Sequence, residues 1–288
     1  MGEMQDIVWH QRTRQRRKAS TLVIALSGWT DAGDAASIAA NRLVSGMNLK
    51  PIAHLDPEEY YDFSMVRPQI AIDERGISEI KWSTLIFSGP PQRSPGPVFV
   101  GIGPEPQFRW KTAAIQLVEL ARYLAVDRII TLGSLLAAAP HTRPPKVFGY
   151  STTPELVEML DLESPSYEGP TGFLSVVQSA ASAAGIGVVS FWVEVPHYLN
   201  QFPAQRSAMA LVNRVEIALG KDEDLAAELA EELEEIDREV AEFVLRDPEL
   251  VGYVTSLETT YEQELSVRTS INSIAAEVEQ YLRKHHNG

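Results

Sequence analysis

The sequence predicts an α/β protein: a mixed, mostly parallel sheet with helices on both faces, followed by a C-terminal helical appendage. Three observations predict it. Short apolar, β-branched runs alternate with helical stretches at the spacing of strand–helix–strand units. The strongest runs, Thr21–Trp29 and Gly187–Val195, carry too few polar residues for a half-exposed strand and read as buried. At Gly220 the pattern changes to long acidic helices. The division is therefore 1–220 for an α/β domain and 221–288 for the appendage, and 288 residues at 44% hydrophobic suffice for a substantial core.

In order, Thr21–Trp29 is a buried strand, Thr30–Asp34 a turn and Ala35–Ser45 an Ala-rich helix that Asp31 or Asp34 caps. Pro51–Leu55 is a second strand. Asp56–Pro68 is a polar and aromatic loop. Gln69–Asp73 and Ile77–Trp82 form a hairpin around Glu74-Arg75-Gly76, which makes the sheet mixed. Leu85–Ser88 and Val98–Ile102 are strands. Phe108–Ala125 has helical spacing through Trp110, Ala114, Leu117, Val118, Ala121 and Leu124. Ile129–Leu132 is a strand ending at Gly133, followed by a small-residue loop, Ser134–Ala139, and the stiff stretch Pro140-His141-Thr142-Arg143-Pro144-Pro145. Val147–Tyr150 is a strand. Thr153–Leu160 is a short helix with Thr153 as N-cap, and Phe173–Ala184 a helix closed by Gly185. Gly187–Val195 ends in Pro196-His197-Tyr198-Leu199, and Pro203–Leu219 is a helix with proline in its first turn. The tryptophans Trp29, Trp82, Trp110 and Trp192 read as core.

In the appendage, Leu225, Leu229, Leu233, Ile236, Val240 and Phe243 step by three or four along an acidic helix. Leu257, Tyr261 and Leu265, then Ile271, Ile274, Val278 and Leu282, mark another, with Asp247-Pro248 as the break. The stripes need a cover, either the main domain or another subunit. The net charge is −14, and thirteen acids against three bases place −10 of it between Lys221 and Glu249. That balance argues against nucleic acid as a partner, the small Arg12–Lys18 cluster notwithstanding. The chain has no cysteine, no apolar signal core and no membrane-length apolar run, so a cytoplasmic protein with no membrane partner is expected. No histidine spacing suits a metal, and His285-His286 sits on the tail, so neither a metal nor another cofactor is expected.

The candidate residues follow from strand ends, where open α/β sheets hold their ligands. His141 and Arg143 suit an anion or carboxylate, the arginine through its bidentate fork. The alternative is that both only pin the loop. His197 and Tyr198 end a second strand, so both loops on one sheet edge would form one cleft. Glu105 is the expected acid there, for general acid–base work. Trp29 and Asp31 end the first strand. Gly28 and Gly33 have phosphate-loop spacing, but Asp34 and Ala35 stand where lysine and serine or threonine belong, which excludes a nucleotide-hydrolase loop. A serine hydrolase lacks its G-x-S-x-G turn.

Six pieces in order, GWTDAGDAAS (Gly28–Ser37), DPEEYYDFSMVRP (Asp56–Pro68), GPEPQFRW (Gly103–Trp110), PHTRP (Pro140–Pro144), YEGPTG (Tyr167–Gly172) and PHYL (Pro196–Leu199), together resemble the proteasome assembly chaperone 2 family in its actinobacterial branch. The set covers roughly residues 20–220. The resemblance implies a phosphorylase/hydrolase-like fold, similar to purine nucleoside phosphorylases, and homo-oligomers, with a trimer favoured. It brings no established reaction, and it adds Thr171 of YEGPTG to the candidate residues. The family's eukaryotic members use a C-terminal hydrophobic-Tyr-any tail in proteasome assembly; this sequence reads His285-His286-Asn287-Gly288 there. The expected function is thus a chaperone-like, oligomeric assembly protein, with the appendage as a contact for another protein. The alternative is an enzyme acting on a small anionic or nucleoside-like ligand in the PHTRP/PHYL cleft.

Overall fold

The computed structural model describes residues 4–11, 20–72, 76, 78–91, 97–160, 162, 168–221 and 224–285, with 228, 231 and 268–285 described by backbone alone. The Arg12–Lys18 cluster, Glu74 and Arg75 of the hairpin turn, Tyr167 and His286 lie outside the described residues. In chain order the strands are β1 (Ile7–Trp9), β2 (Ser20–Ser27), β3 (Lys50–Leu55), β4 (Gln69–Ile72), β5 (Ser78–Lys81), β6 (Ile86–Gly89), β7 (Val98–Pro104), β8 (Val126–Ala137), β9 (Val147–Ser151) and β10 (Gly187–Pro196). The helices are α1 (Ala35–Gly46), α2 (Trp110–Tyr123), α3 (Pro154–Met159), α4 (Phe173–Ala183), α5 (Gln205–Leu219), α6 (Ala227–Leu245) and α7 (Pro248–His285).

Eight strands form one sheet in the order β1-β3-β6-β7-β2-β8-β10-β9. The centre, β7-β2-β8-β10, is parallel, while β1-β3, β3-β6, β6-β7 and β10-β9 pair antiparallel. Strands β3, β7, β2, β8 and β10 therefore all run one way, and the mostly parallel, mixed sheet expected from the sequence is present; it is mixed through β1, β6 and β9, not through the hairpin of β4 and β5, which pair only with each other. Side-chain alternation divides the core between the two faces. From β2, Leu22, Ile24 and Leu26 join α2 and α4 on one face, and Val23 and Ala25 join α1 and α5 on the other. Burial on both faces explains why β2 reads as a continuous apolar run.

Several local readings needed correction. β8 does not stop at Gly133 but continues to Ala137, in register with β10 from Arg128↔Gly187 to Ala137↔Pro196. Gly133 marks a close approach inside the strand: a Cβ there would stand 2.8 Å from Cε3 of Trp192. β1 gave no sequence signal beyond three residues; it closes the sheet edge on β3, with the Trp9 ring tilted 54° against Tyr123 and the ring centroids 4.8 Å apart. Trp29 and Trp82 are exposed rather than core. Thr153 occupies the N-cap position of α3 without a side-chain cap, where Pro154 removes one N–H from the count.

The appendage is fastened to the body from its first residues. Gly220, at φ 64°, ends α5 in the left-handed conformation that a glycine reaches without strain. Leu225, Ala226 and Leu229 then enter the core beside Leu43, Leu211 and Val215. Arg42 Nε donates to the Leu225 carbonyl at 2.5 Å, and the Leu225 N–H donates to Glu216 Oε1 at 2.9 Å. Further on, Val240, Val244, Val254 and Leu199 form a third apolar cluster, joined by half-buried Ile236 and Phe243. The first stripe, Leu225 to Phe243, is thus buried or half-buried within one chain; of the second, Leu257 is buried, Tyr261 half-buried and Leu265 exposed, and the side chains of Ile271, Ile274, Val278 and Leu282 lie outside the described residues. Asp247 Oδ1 accepts from the Glu249 N–H at 2.9 Å and starts α7 where Asp247-Pro248 breaks the helix. α7 is a single 38-residue helix, about 57 Å long at 1.5 Å per residue.

Candidate functional site

Because β7, β2, β8 and β10 are parallel neighbours, the loops after all four open on one edge of the sheet. His141 and His197 share that edge, as their strands required. The candidate residues nonetheless fall into two groups, and no hydrogen bond or ring contact among the described residues joins them.

The first group lies at the ends of β2 and β7. Glu105 does not meet the histidines; β7 and β10 are three strand spacings apart, on the order of 14 Å. Its Oε1 accepts the Phe173 N–H at 2.6 Å and so caps α4. Gly172 lets this happen, because a Cβ there would stand 2.9 Å from both Glu105 Oε1 and Thr30 Cγ2, and 3.4 Å from Trp29. Trp29 is 66% exposed. Thr171, exposed, donates to Ser175 Oγ at 2.6 Å. Asp31 is a cap and not a ligand-facing acid. Its Oδ1 accepts the Ala36 and Ser37 N–H groups at 2.7 and 3.3 Å, its Oδ2 accepts from Ser37 Oγ at 2.5 Å, and Ser134 of β8 is bridged to it. Burial pushes its pKa up, against those three hydrogen bonds.

The second group is a ring-and-ion cluster under α7. The Tyr198 hydroxyl is 2.9 Å from the His141 N–H and 2.8 Å from His141 Nδ1. His197 Nδ1 is 3.0 Å from the Ala137 carbonyl. Edge-on contacts link His141 to Tyr198, and His197 and Tyr198 to Tyr253 of α7. Burial lowers the His141 pKa, with Arg206 in the same sense and Asp237 and Glu258 opposing. Burial also raises the Tyr198 hydroxyl. Glu194, on β10, is likewise raised by burial, partly offset by Lys146.

Arg143 does not face an open cleft. Its guanidinium holds Glu258 at 3.2 Å and Glu262 at 2.7 Å, both from α7. Thr142 donates to Glu258, Lys146 pairs with Glu264, and the Tyr261 hydroxyl donates to the Pro144 carbonyl at 3.2 Å. What remains between this loop, β10, α5 and α6 is a cavity of about 60 Å³, lined among others by His141, Arg143, Glu194, Gln205 and Asp237. Sequence reasoning missed the α7 partners, Tyr253, Glu258, Tyr261, Glu262 and Glu264. The signal was present: Glu258 and Glu262 stand four apart on one helix face, complementary to Arg143.

The sequence profile of the PAC2 family matches residues 25–244. The chain belongs to the PAC2 family. All eight candidate residues fall inside the matched range, whereas α7, which closes the second group, lies beyond it. Among solved structures, a PAC2 family protein from Streptomyces avermitilis is 37% identical, with a TM-score of 0.73 over 82% of this chain and 99% of that one. A Mycobacterium tuberculosis proteasome-assembly chaperone homologue is 39% identical, with a TM-score of 0.71 over 81% and 99%. PbaB from Pyrococcus furiosus, an archaeal proteasome activator, is 19% identical at a TM-score of 0.62 over 82% and 98%, and shares the fold. A comparison with curated proteins gives no match.

Proposed function

We propose that this PAC2 protein is a homo-oligomeric, chaperone-like assembly protein that works by holding other proteins. The observation that carries the reading is the strand-end edge after β8 and β10, which α7 fills. Arg143, the cation best suited to an anionic substrate, is held by the chain's own Glu258 and Glu262. The 60 Å³ cavity left beside it is several-fold smaller than the roughly 300–1,000 Å³ that small-molecule sites span. The smallness of that cavity favours this reading over the alternative, an enzyme acting on a small anionic or nucleoside-like ligand at the PHTRP/PHYL edge. A larger hollow of about 680 Å³ between α1 and α6 includes none of His141, Arg143, His197 or Tyr198.

The similarity to the Mycobacterium chaperone homologue supports the same reading. A trimer, on the family resemblance alone, a cytoplasmic setting in keeping with the absence of cysteine, and a helical appendage beginning near Gly220 belong to it. Co-purification from the native cell, with mass spectrometry of bound proteins and small molecules, tests it. The expected result is a stoichiometric protein partner. A stoichiometric small molecule that is lost when His141 or Arg143 is replaced would overturn it in favour of the enzyme.

A further inference from the structure

β4 and β5 form a two-stranded ribbon separate from the main sheet. Ile70 and Ile80 are cross-strand partners, so their side chains share a face, and Ile72 and Ser78 follow on it. The other face carries Gln69 opposite Lys81 and Ala71 opposite Glu79. The ribbon is therefore amphipathic, yet its apolar face is in water: Ile70 is 72% exposed, Ile72 74% and Ile80 54%. None of the three belongs to a core cluster. Trp82, two residues beyond Ile80, lies against Phe63 with its ring tilted 55° and the ring centroids 4.8 Å apart, and is itself exposed.

Together these side chains expose on the order of 500 Å² of apolar surface, toward the upper end of the largest patch on a typical monomer. A two-stranded ribbon alone is marginal in water, so a cover that is present whenever the chain is folded would stabilise it most. A copy of the same chain meets that condition at matching concentration. Two such surfaces brought together bury about 1,000 Å², the size at which a specific interface begins. Charge agrees. In a chain of net charge −14, the described residues of this face, Ile70, Ile72, Ser78, Ile80 and Trp82, carry none, so repulsion between acidic copies is least here.

We propose that the apolar face of the β4–β5 ribbon is a docking surface for a second copy of this chain. This deepens the oligomeric reading above and rests on it. The test is sedimentation of the full chain beside Ile70→Lys/Ile80→Lys, at matched concentrations and with circular dichroism as a check on folding. The wild type should sediment as an oligomer. The double variant should keep its spectrum and fall toward the mass of one chain, with self-association weakened on the order of a hundredfold. Gln69→Lys/Glu79→Gln, on the opposite face, should leave the mass unchanged. An oligomer that survives Ile70→Lys/Ile80→Lys overturns the docking surface and leaves oligomerisation standing. Dissociation by the opposite-face variant as well would also overturn it, by assigning the effect to the ribbon's folding. A monomeric wild type refutes both the surface and the oligomer.

Discussion

Asp31 shows how a residue chosen for chemistry can be spent on structure. Its carboxylate satisfies two N–H groups of the first turn of α1 and the Ser37 hydroxyl. Asp31→Ala removes this cap and should cost about 0.5–2 kcal/mol in denaturant unfolding. Asp31→Asn keeps an acceptor oxygen and should cost less. Its pH dependence has a definite sign. Burial raises the folded pKa above the unfolded value, so the folded state binds the proton more readily. Its contribution is fully present below the unfolded pKa and is lost as pH rises through the folded one. The stability of wild type relative to Asp31→Asn should therefore improve on acidification into the carboxylate range. A difference that does not vary with pH would remove the burial argument. His141 has the opposite sign. Burial lowers its pKa, so its contribution is present above the ordinary histidine value and fades as pH falls through it. Relative to a His141→Gln variant, wild type should lose stability between about pH 7 and 5.

At the scale of elements, α7 lies across the PHTRP loop on exposed or half-buried ion pairs and a few buried apolar side chains, Val254 and Leu257 among them. Exposed pairs contribute little singly and are screened by salt, so this helix should be the loosest part fastened to the body. Arg143→Glu should raise amide exchange in 253–264 by about three- to tenfold while leaving β2, β8 and β10 protected. About 1 M salt should do part of the same to the wild type. Equal protection in the charge-reversed variant would mean that apolar burial alone holds α7. The sequence made the elements legible where burial is two-sided or periodic: β2, β10, α2 and α4 stand close to where their apolar spacing put them. It misplaced the end of β8, because Gly133 and the small residues after it look like a loop until β10 is seen to pair with them. The site was half legible. Strand order set His141 and His197 on one edge, but the distance of β7 from β10, and the arrival of α7 from more than a hundred residues away, depend on contacts that no local pattern records.

For the molecule as a whole, the decisive question is whether the body stands without its appendage. The sequence divides at Gly220, where charge and periodicity change together. The packing does not divide there. Leu225, Ala226 and Leu229 sit in the same apolar cluster as α1 and α5, and the Leu225 backbone is bonded on both sides, to Arg42 and Glu216. Cutting after Gly220 removes two leucines worth roughly 1.5–3 kcal/mol each in burial and uncovers the helices beneath them. At about 2–4 °C per kcal/mol for a chain of this size, the melting temperature should fall by on the order of 10 °C. Cutting after Leu245 retains α6 and that cluster, and loses only α7 and its share of the third cluster around Leu199 and Val254. The 1–245 chain should therefore melt much nearer the full-length protein than 1–220 does, and full-length unfolding should show one transition. If 1–220 instead melted with the full-length protein, the covalent boundary read from the sequence would also be the cooperative one, and α6 would be ornament to a body that folds alone.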